Sequence, residues 1–209
     1  MRRMQGSDVL DSIWAFLVGF LFGSIPFGLL LTRMAGLGDV RNIGSGSIGA
    51  TNVLRTGNKG LAAATVLLDA AKGAIPVLAT PVLFPQAQSI FGGPAEIAAV
   101  AAVAGHCFTP WLKFKGGKGF ATAAGVLAAL NWPLVLLCAG IWAATLAISR
   151  ISSVSSMLTV VAAPIAAAIF GLADLVAPLV AIAVIVLVQH RANIGRLMRG
   201  EEPRVGGKS

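Results

Sequence analysis

Charged side chains are scarce in this chain. Asp, Glu, Lys and Arg make up 11% of its 209 residues, against about 25% in an ordinary soluble domain. Hydrophobic residues account for 56% of the chain, and no stretch between the long apolar runs could bury a separate core. This composition excludes a soluble protein and predicts a single integral membrane domain over residues 1–209.

Cysteine is also rare. The only two, Cys107 and Cys138, lie inside apolar runs and show no paired spacing. We therefore expect them to be packing residues rather than partners in a disulfide. We also expect no metal ion and no cofactor.

The net charge of +8 is distributed unevenly along the chain. Lys and Arg occur in alternate loops, and the loops near 85–94, 131–133 and 171–174 contain neither. This asymmetry predicts that the basic loops face the cytoplasm, and it argues against a nucleic-acid partner. Arg2 and Arg3 depart from the pattern.

The apolar runs predict an all-α polytopic membrane protein with about seven transmembrane helices. The fourth run is short, so a tilted or partly inserted helix is an alternative there. An odd number of crossings places the N-terminus outside and the C-terminus in the cytoplasm. The predicted helices cover about 10–32, 60–84, 95–111, 118–131, 133–149, 154–171 and 174–191.

Three polar segments interrupt the apolar sequence, at residues 44–55, 105–119 and 190–197. Each combines glycine or small polar residues with Arg, Lys or His. Glycine lets backbone N–H groups approach an anion, and Arg or Lys neutralises it. All three segments fall on the predicted cytoplasmic side, which favours one shared phosphate-binding cavity.

The first segment matches a dinucleotide-binding fingerprint by letter only, because no strand precedes it. A Walker A loop is excluded too, since Ala50 precedes Thr51 at the position where the Lys belongs. The remaining interpretations are a flexible linker and an anion-binding loop. The hydroxyls of the loop and the nearby Arg55 favour the second.

In the second segment, Lys118 lies at the predicted start of the fourth helix, where an anion is favoured. Contact with acidic lipid headgroups is the alternative. His106 alone is typical of a hydrogen-bonded structural histidine. Asp69 and Lys72 share a face of the second helix, where we expect a structural ion pair; lining the site is the alternative.

In the third segment, His190, Asn193 and Arg196 are predicted to continue the last helix into the cytoplasm. The first two share a face, and Arg196 lies farther round. They could bind an oxygen-rich or phosphorylated substrate. The alternative is a basic helix end that extends toward the membrane surface.

The order and length of these motifs resemble the signature motifs of the bacterial acyl-phosphate:glycerol-3-phosphate acyltransferases (PlsY type). Asp69-x-x-Lys72-Gly73 and Arg150-Ile-x-Ser153 are also similar to that family. The family usually has Asn at the position of Ser47 and Pro at that of Thr109, and one Glu where Glu201-Glu202 stands.

The resemblance implies transfer of a fatty acyl group from acyl phosphate to the 1-hydroxyl of glycerol 3-phosphate. The products are lysophosphatidic acid and phosphate, in the first step of phospholipid synthesis. The implied setting is the bacterial inner membrane, among membrane lipids, with the active site facing the cytoplasm. No acyl-CoA or carrier protein is implied as donor.

Within this implied reaction we expect the glycine loop to hold the donor phosphate, and Arg55 and Lys118 to hold the acceptor phosphate. His190 and Asn193 should orient the glycerol, with Arg196 adding charge. The general base is left open between His190 and the donor's own phosphate. The expected catalytic residues are Ser45, Arg55, Lys118, His190 and Asn193. The expected substrate-binding residues are Gly44, Gly46, Ser47, Gly49, Ala50, Thr51, Asn52, Gly116, Gly117, Ser153 and Arg196.

Two other function classes use the same features. A transporter for an organic phosphate needs a similar cationic cavity, but the outer loops are short and no inverted repeat is visible. The hypothesis of a lipid-binding structural protein does not explain the ordered motifs.

Overall fold

The computed structural model describes residues 6–87 and 89–206, and the regular structure within them is helical. Arg2 and Arg3 lie outside the described residues. The all-α prediction is confirmed. The helices are α1 (Gly6–Gly23), α2 (Phe27–Met34), α3 (Ala50–Val53), α4 (Lys59–Leu83), α5 (Pro94–Cys107), α6 (Phe120–Leu130), α7 (Trp132–Ser149), α8 (Ser152–Ile169), α9 (Ala173–Gln189) and α10 (Arg191–Met198).

Each of the seven predicted membrane segments is helical in the structure. Five spans among the described residues are long and apolar enough to cross a bilayer, and a sixth is reached if α9 and α10 count as one bent span. The helix α6 has only 11 residues, or about 16 Å at 1.5 Å per residue. It therefore covers about half of a 30 Å hydrocarbon core, as its short apolar run indicated. The orientation in the membrane stays a prediction.

Two helix ends differ from the prediction. The first span is broken between α1 and α2 at Pro26, which has no N–H to donate to the helical ladder. The last span ends at Gln189, and the chain bends by 59° into α10. His190 lies at this bend, and the Val186 carbonyl accepts from both its ring Nδ1–H at 2.8 Å and its backbone N–H at 3.1 Å. The predicted continuous helix through His190, Asn193 and Arg196 is therefore wrong.

Small residues bring the helices into close contact, as their abundance indicated. A Cβ at Gly23 of α1 would collide with the backbone of Ala102 on α5, and a Cβ at Gly125 of α6 would collide with that of Ala70 on α4. On α5, every residue from 97 to 103 is buried. α5 is therefore the central helix against which α1, α4 and α9 pack.

The break between α1 and α2 is closed by side chains from other parts of the chain. The Ile25 carbonyl accepts a hydrogen bond from Lys72 Nζ at 2.6 Å. The Ser24 carbonyl accepts one from Thr109 Oγ1 at 2.7 Å, and Ser24 Oγ accepts one from Trp111 Nε1 at 2.9 Å. The carbonyl groups freed by the missing helical turn therefore have protein donors.

Candidate active site

Two glycines shape the first polar segment. Gly44 and Gly46 have φ angles of +53° and +68°, in the left-handed region that glycine adopts at no steric cost. A Cβ at Gly44 would also collide with Arg55 Nη1 and Asn52 Oδ1. Gly44 therefore lets the Arg55 guanidinium lie directly against the backbone of the loop.

The Asn52 side chain holds this loop together. Its Nδ2 donates to the carbonyls of Val40 at 2.7 Å, Ile43 at 3.1 Å and Ser47 at 2.8 Å. Its Oδ1 accepts from the Ser45 N–H at 3.1 Å. Asn52 is buried, so these bonds give its amide a scaffold role. The expected contact between Asn52 and substrate stays a prediction.

The loop leaves polar groups free of the helical ladder. The Gly49 carbonyl accepts the first helical hydrogen bonds of α3, from residues 52 and 53. The N–H groups of Ala50 and Thr51 precede these bonds and have no helical acceptor. The Thr51 and Ser45 side chains are exposed beside them, whereas Ser47 Oγ accepts from the Gly49 N–H at 3.3 Å. The loop thus presents N–H and hydroxyl groups to an anion.

The second segment folds back onto the end of α5. The Gly116 and Gly117 N–H groups donate to backbone carbonyls of that helix at 3.1 and 3.0 Å. A Cβ at Gly117 would collide with His106 Nε2, and one at Gly116 with the His106 carbonyl. Gly116 and Gly117 therefore allow the loop to pack closely against the end of α5. This packing fixes the position of Lys118.

The helix after this loop begins later than predicted. α6 starts at Phe120, and Gly119 is its N-cap in a left-handed conformation. Lys118 therefore precedes the helix by two residues. His106 is buried, as a structural histidine should be. Its Nδ1, however, has no hydrogen-bond partner among the described residues and lies 3.7 Å from Asp69 Oδ1.

The ion pair expected on the second helix is confirmed. Lys72 Nζ lies 2.7 Å from Asp69 Oδ1, and both side chains are almost fully buried. The Phe27 ring covers the ammonium at 5.7 Å from its centroid. The pair thus lies next to His106 of the second segment. Through the hydrogen bond from Lys72 to the Ile25 carbonyl, it also connects α4 to the break in the first span.

A carboxylate that the sequence interpretation did not assign organises the third segment. Glu202 accepts hydrogen bonds at Oε1 from Ser153 Oγ at 2.6 Å and from Asn193 Nδ2 at 2.5 Å. Its Oε2 accepts from Arg196 Nε at 2.7 Å. The only sequence signal was the pair of glutamates shortly after a glycine. Glu202 therefore lies between three predicted site residues: Ser153 and Arg196, expected to bind substrate, and Asn193, expected to be catalytic.

A tight turn after α10 brings Glu202 back against that helix. Gly200 has a φ of +71°, and the Glu201 N–H donates to the Arg196 carbonyl at 2.8 Å. Farther on, Val205 exchanges hydrogen bonds with Arg150: its N–H donates to the Arg150 carbonyl at 2.7 Å, and its carbonyl accepts from Nη2 at 3.2 Å. This C-terminal segment therefore ties α10 to the loop between α7 and α8.

Charged residues of the first and third segments influence the pKa of Lys118 in the second. Burial lowers the pKa of Lys118, the Glu202 carboxylate raises it, and Arg196 and Arg55 lower it, with a net result below the usual value. Partial burial raises the pKa of Glu202, but hydrogen bonds from Ser153, Asn193 and Arg196 outweigh it and keep the pKa below its ordinary value. Cations from all three segments therefore act on one small region.

His190 lies at the edge of the same region, within the fields of Lys118 and Glu202. Its side chain is buried, and its Nδ1 is 2.8 Å from the Val186 carbonyl. A carbonyl can only accept, so Nδ1 carries the hydrogen in this contact. In a neutral ring Nε2 then carries the lone pair. His190 is therefore oriented to accept a proton or a hydrogen bond at Nε2.

Solved structures of similar sequence place this arrangement in a known fold. The chain matches PlsY, an integral membrane glycerol 3-phosphate acyltransferase in its glycerol 3-phosphate form, at 32% identity and a TM-score of 0.85, over 93% of this chain and 96% of that one. It also matches the lysophosphatidic acid form of PlsY at 31% identity and a TM-score of 0.83, over 93% and 95% of the two chains.

Sequence comparison gives the same result. The glycerol-3-phosphate acyltransferase of Erythrobacter litoralis is 60% identical over 199 residues, which cover 95% of this chain and 98% of the relative. That of Paramagnetospirillum magneticum is 52% identical over 200 residues, or 96% of each chain. The family model described as glycerol-3-phosphate acyltransferase matches residues 13–200. The chain therefore belongs to the glycerol-3-phosphate acyltransferase family.

Proposed function

We propose that this protein transfers a fatty acyl group from acyl phosphate to the 1-hydroxyl of glycerol 3-phosphate. The products are lysophosphatidic acid and inorganic phosphate, in the first step of phospholipid synthesis. The observation that carries the proposal is the convergence of Arg55, Lys118 and Arg196 on one region at the end of an apolar helical bundle. Such a site suits a reaction between an apolar chain and two phosphate groups.

The donor phosphate binds at the glycine loop, through the N–H groups of Ala50 and Thr51 and the hydroxyls of Ser45 and Thr51. The acceptor phosphate binds between Arg55 and Lys118. Both side chains are long cations that form charge-assisted hydrogen bonds. Placing the two phosphates on neighbouring parts of one site brings the acyl carbon and the attacking hydroxyl together, which itself lowers the barrier.

His190 and Asn193 orient the glycerol, and Arg196 adds positive charge. The glycerol hydroxyl attacks the acyl carbon, the bond from that carbon to the phosphate oxygen breaks, and phosphate leaves. The hydroxyl proton passes either to His190 Nε2 or to the departing phosphate. Because the mixed anhydride is already activated, the reaction requires no covalent acyl-enzyme.

The site faces the cytoplasm of the inner membrane in this proposal. The Lys and Arg asymmetry of the loops supports that orientation. The acceptor is a small charged molecule that reaches the site from the cytoplasmic solution. The donor carries a fatty chain and reaches it from the bilayer.

Incubating the purified protein with acyl phosphate and labelled glycerol 3-phosphate tests the proposal. Labelled lysophosphatidic acid is the expected product, with one phosphate released per acyl group transferred. Acyl-CoA of the same chain length is the matched donor control and should give no product. Transfer from acyl-CoA but not from acyl phosphate would overturn the proposed donor.

A further inference from the structure

The second polar segment carries three lysines, and the structure separates them. Lys118 is partly buried and lies within the fields of the other two segments, whereas Lys113 and Lys115 are exposed. Neither exposed ammonium pairs with a carboxylate among the described residues. Both lie in the loop of residues 109–115, which has no part in the proposed reaction. This loop therefore presents positive charge for which the protein itself provides no partner.

Two exposed aromatic side chains accompany these lysines. Trp111 and Phe114 each have 63% of their surface exposed. Between them, Leu112 is buried in an apolar cluster with Leu29 of α2 and Ile48 of the glycine loop. The buried leucine thus attaches the 109–115 loop to the protein, while the two rings and the two lysines remain outside.

The backbone of this loop is strained where it exposes the second ring. Lys113 and Phe114 have φ angles of +54° and +61°, which residues with a bulky side chain rarely adopt. The Lys113 N–H donates to the Pro110 carbonyl at 3.1 Å, and the Phe114 N–H donates to the Thr109 carbonyl at 3.0 Å. These hydrogen bonds hold the turn in place. Burial of the Phe114 ring within the protein does not offset the strain, because most of the ring is exposed.

The loop lies where the third span ends. The apolar span Pro94–Leu112 ends inside the loop, and Lys113 follows it directly. Tryptophan is enriched at the boundary between hydrocarbon and headgroups, and lysine side chains extend from that boundary toward the headgroups. Trp111 is fixed at this level because its Nε1 donates to Ser24 Oγ at 2.9 Å. Unpaired cations and exposed apolar rings therefore occur together at one membrane boundary.

We propose that the 109–115 loop is a docking surface for the headgroups of anionic membrane lipids. Trp111 and Phe114 insert among the upper carbons of the lipid chains, and Lys113 and Lys115 bind the lipid phosphates. Charge complementarity identifies the partner, since two unpaired cations favour an anionic headgroup over a zwitterionic one. The inference goes beyond the proposed function and holds for whichever acyl donor the enzyme uses.

Lys113→Gln with Lys115→Gln and Lys59→Gln with Arg204→Gln form a matched pair of double variants. Each removes two exposed cations, but only the first pair lies in the loop. The measurement is the Tm in micelles of a neutral detergent, with phosphatidylglycerol or phosphatidylcholine added at the same mole fraction. Phosphatidylglycerol should raise the Tm of the parent and of the control more than phosphatidylcholine does, and the loop variant should lose that difference. An equal gain in all three proteins, or no gain in the parent, would overturn the proposal.

The fluorescence of Trp111 tests the contact directly. Trp14→Phe, Trp132→Phe and Trp142→Phe together leave it as the only tryptophan, and the chain contains no tyrosine. In vesicles with equal amounts of the two lipids, brominated phosphatidylglycerol should quench this tryptophan several-fold more strongly than brominated phosphatidylcholine.

Added salt should reduce the preference for phosphatidylglycerol, because it screens the headgroup charge. Equal quenching by the two lipids would show an ordinary contact with the bilayer and would overturn the anionic partner. The Tm measurement requires no change at tryptophan, so it decides the question if the triple variant does not fold.

Discussion

Arg196 Nε donates to Glu202 Oε2 across 2.7 Å, and the turn at Gly200 brings the two residues together. The Glu202 side chain is nearly buried, with 6% of its surface exposed, whereas 29% of Arg196 is exposed. A fixed carboxylate therefore holds the Arg196 Nε, while part of the guanidinium stays exposed. We infer that Glu202 positions Arg196 and Asn193, to which it is hydrogen-bonded.

We predict that Glu202 makes stability sensitive to acid. Its pKa lies below the ordinary value of 4.5 in the folded protein, so its contribution to stability is complete above that value and declines as the pH falls through the folded pKa. The Tm of the parent in detergent should therefore fall between pH 5 and pH 3. These two pH values lie about 0.5 unit above and about 1.5 units below the usual pKa of a glutamate.

Glu202→Gln should flatten that part of the Tm profile. Glu201→Gln is the matched control, since Glu201 pairs with Arg199 at the surface and both side chains are more than half exposed. A surface pair contributes little, so the control should follow the parent. If the two variants have the same profile, the buried contacts of Glu202 are not the cause.

Lys118→Ala and Arg55→Ala should weaken the use of glycerol 3-phosphate. Each removes a charge-assisted hydrogen bond of about 1.5–3 kcal/mol, which corresponds to a fall of about tenfold to more than a hundredfold in kcat/KM. The effect should appear mainly in the KM for this substrate. Lys115→Ala is the control, because Lys115 is exposed in the same loop. Kinetics like those of the parent in folded Lys118→Ala would remove this residue from the site.

The glycine loop offers a graded series of substitutions. Gly44→Ala should unfold the loop, because its Cβ collides with Arg55 and Asn52. Gly46→Ala adds strain at a φ of +68° with no collision, so it should lower stability by about 1 kcal/mol. Gly49→Ala meets only Ser47 Oγ at 3.7 Å, and its φ of −77° suits any residue.

Gly49→Ala therefore tests ligand approach without disturbing the fold. Its Tm should equal that of the parent, while its KM for acyl phosphate rises and its KM for glycerol 3-phosphate does not change. Activity like that of the parent in both Gly46→Ala and Gly49→Ala would make the loop a structural turn. The donor phosphate would then bind elsewhere, and the start of α6 would become the preferred position.

Gly117 and His106 should show strong energetic coupling. A Cβ at Gly117 collides with the imidazole, so Gly117→Ala should displace Lys118 and lower both Tm and activity. His106→Ala makes room for that methyl group. The double variant should therefore lose less activity than the product of the two single effects. Independent effects would show that the ring does not support the loop.

The buried pair on α4 should tolerate joint replacement better than single replacement. Lys72→Met leaves Asp69 buried without its partner, at a cost of about 3–5 kcal/mol. Replacing both, as Asp69→Leu with Lys72→Met, removes both charges and should restore most of the Tm. A double variant that is no more stable than Lys72→Met would show that the hydrogen bond from Lys72 to Ile25 matters more than the charge.

The helical fold and the convergence of three polar segments could be predicted from the sequence. Apolar runs separated by basic loops determine how many helices form, and glycine next to Arg or Lys indicates where anions bind. The pair of Asp69 and Lys72 was predictable from its spacing on one helix face. These features depend on local pattern and on the low polarity of the bilayer.

The role of Glu202 was not predictable in this way. Its partner Ser153 lies 49 positions away in the chain, and their meeting depends on the turn at Gly200 and on the bend at His190. The scaffold role of Asn52 was hidden for a related reason. An asparagine beside glycines has the same appearance in a sequence whether its amide binds a ligand or its own loop.

The broken first span has a consequence for how the protein is made. Ser24 and Ile25 receive their hydrogen bonds from Lys72, Thr109 and Trp111, all of which leave the ribosome later. Until the third span has been inserted, the Ser24 carbonyl lacks its Thr109 donor, and before Lys72 is made the Ile25 carbonyl accepts only from the neighbouring Phe27 N–H at 3.1 Å. The first span therefore acquires its full set of hydrogen-bond partners only when about half of the chain has been synthesised.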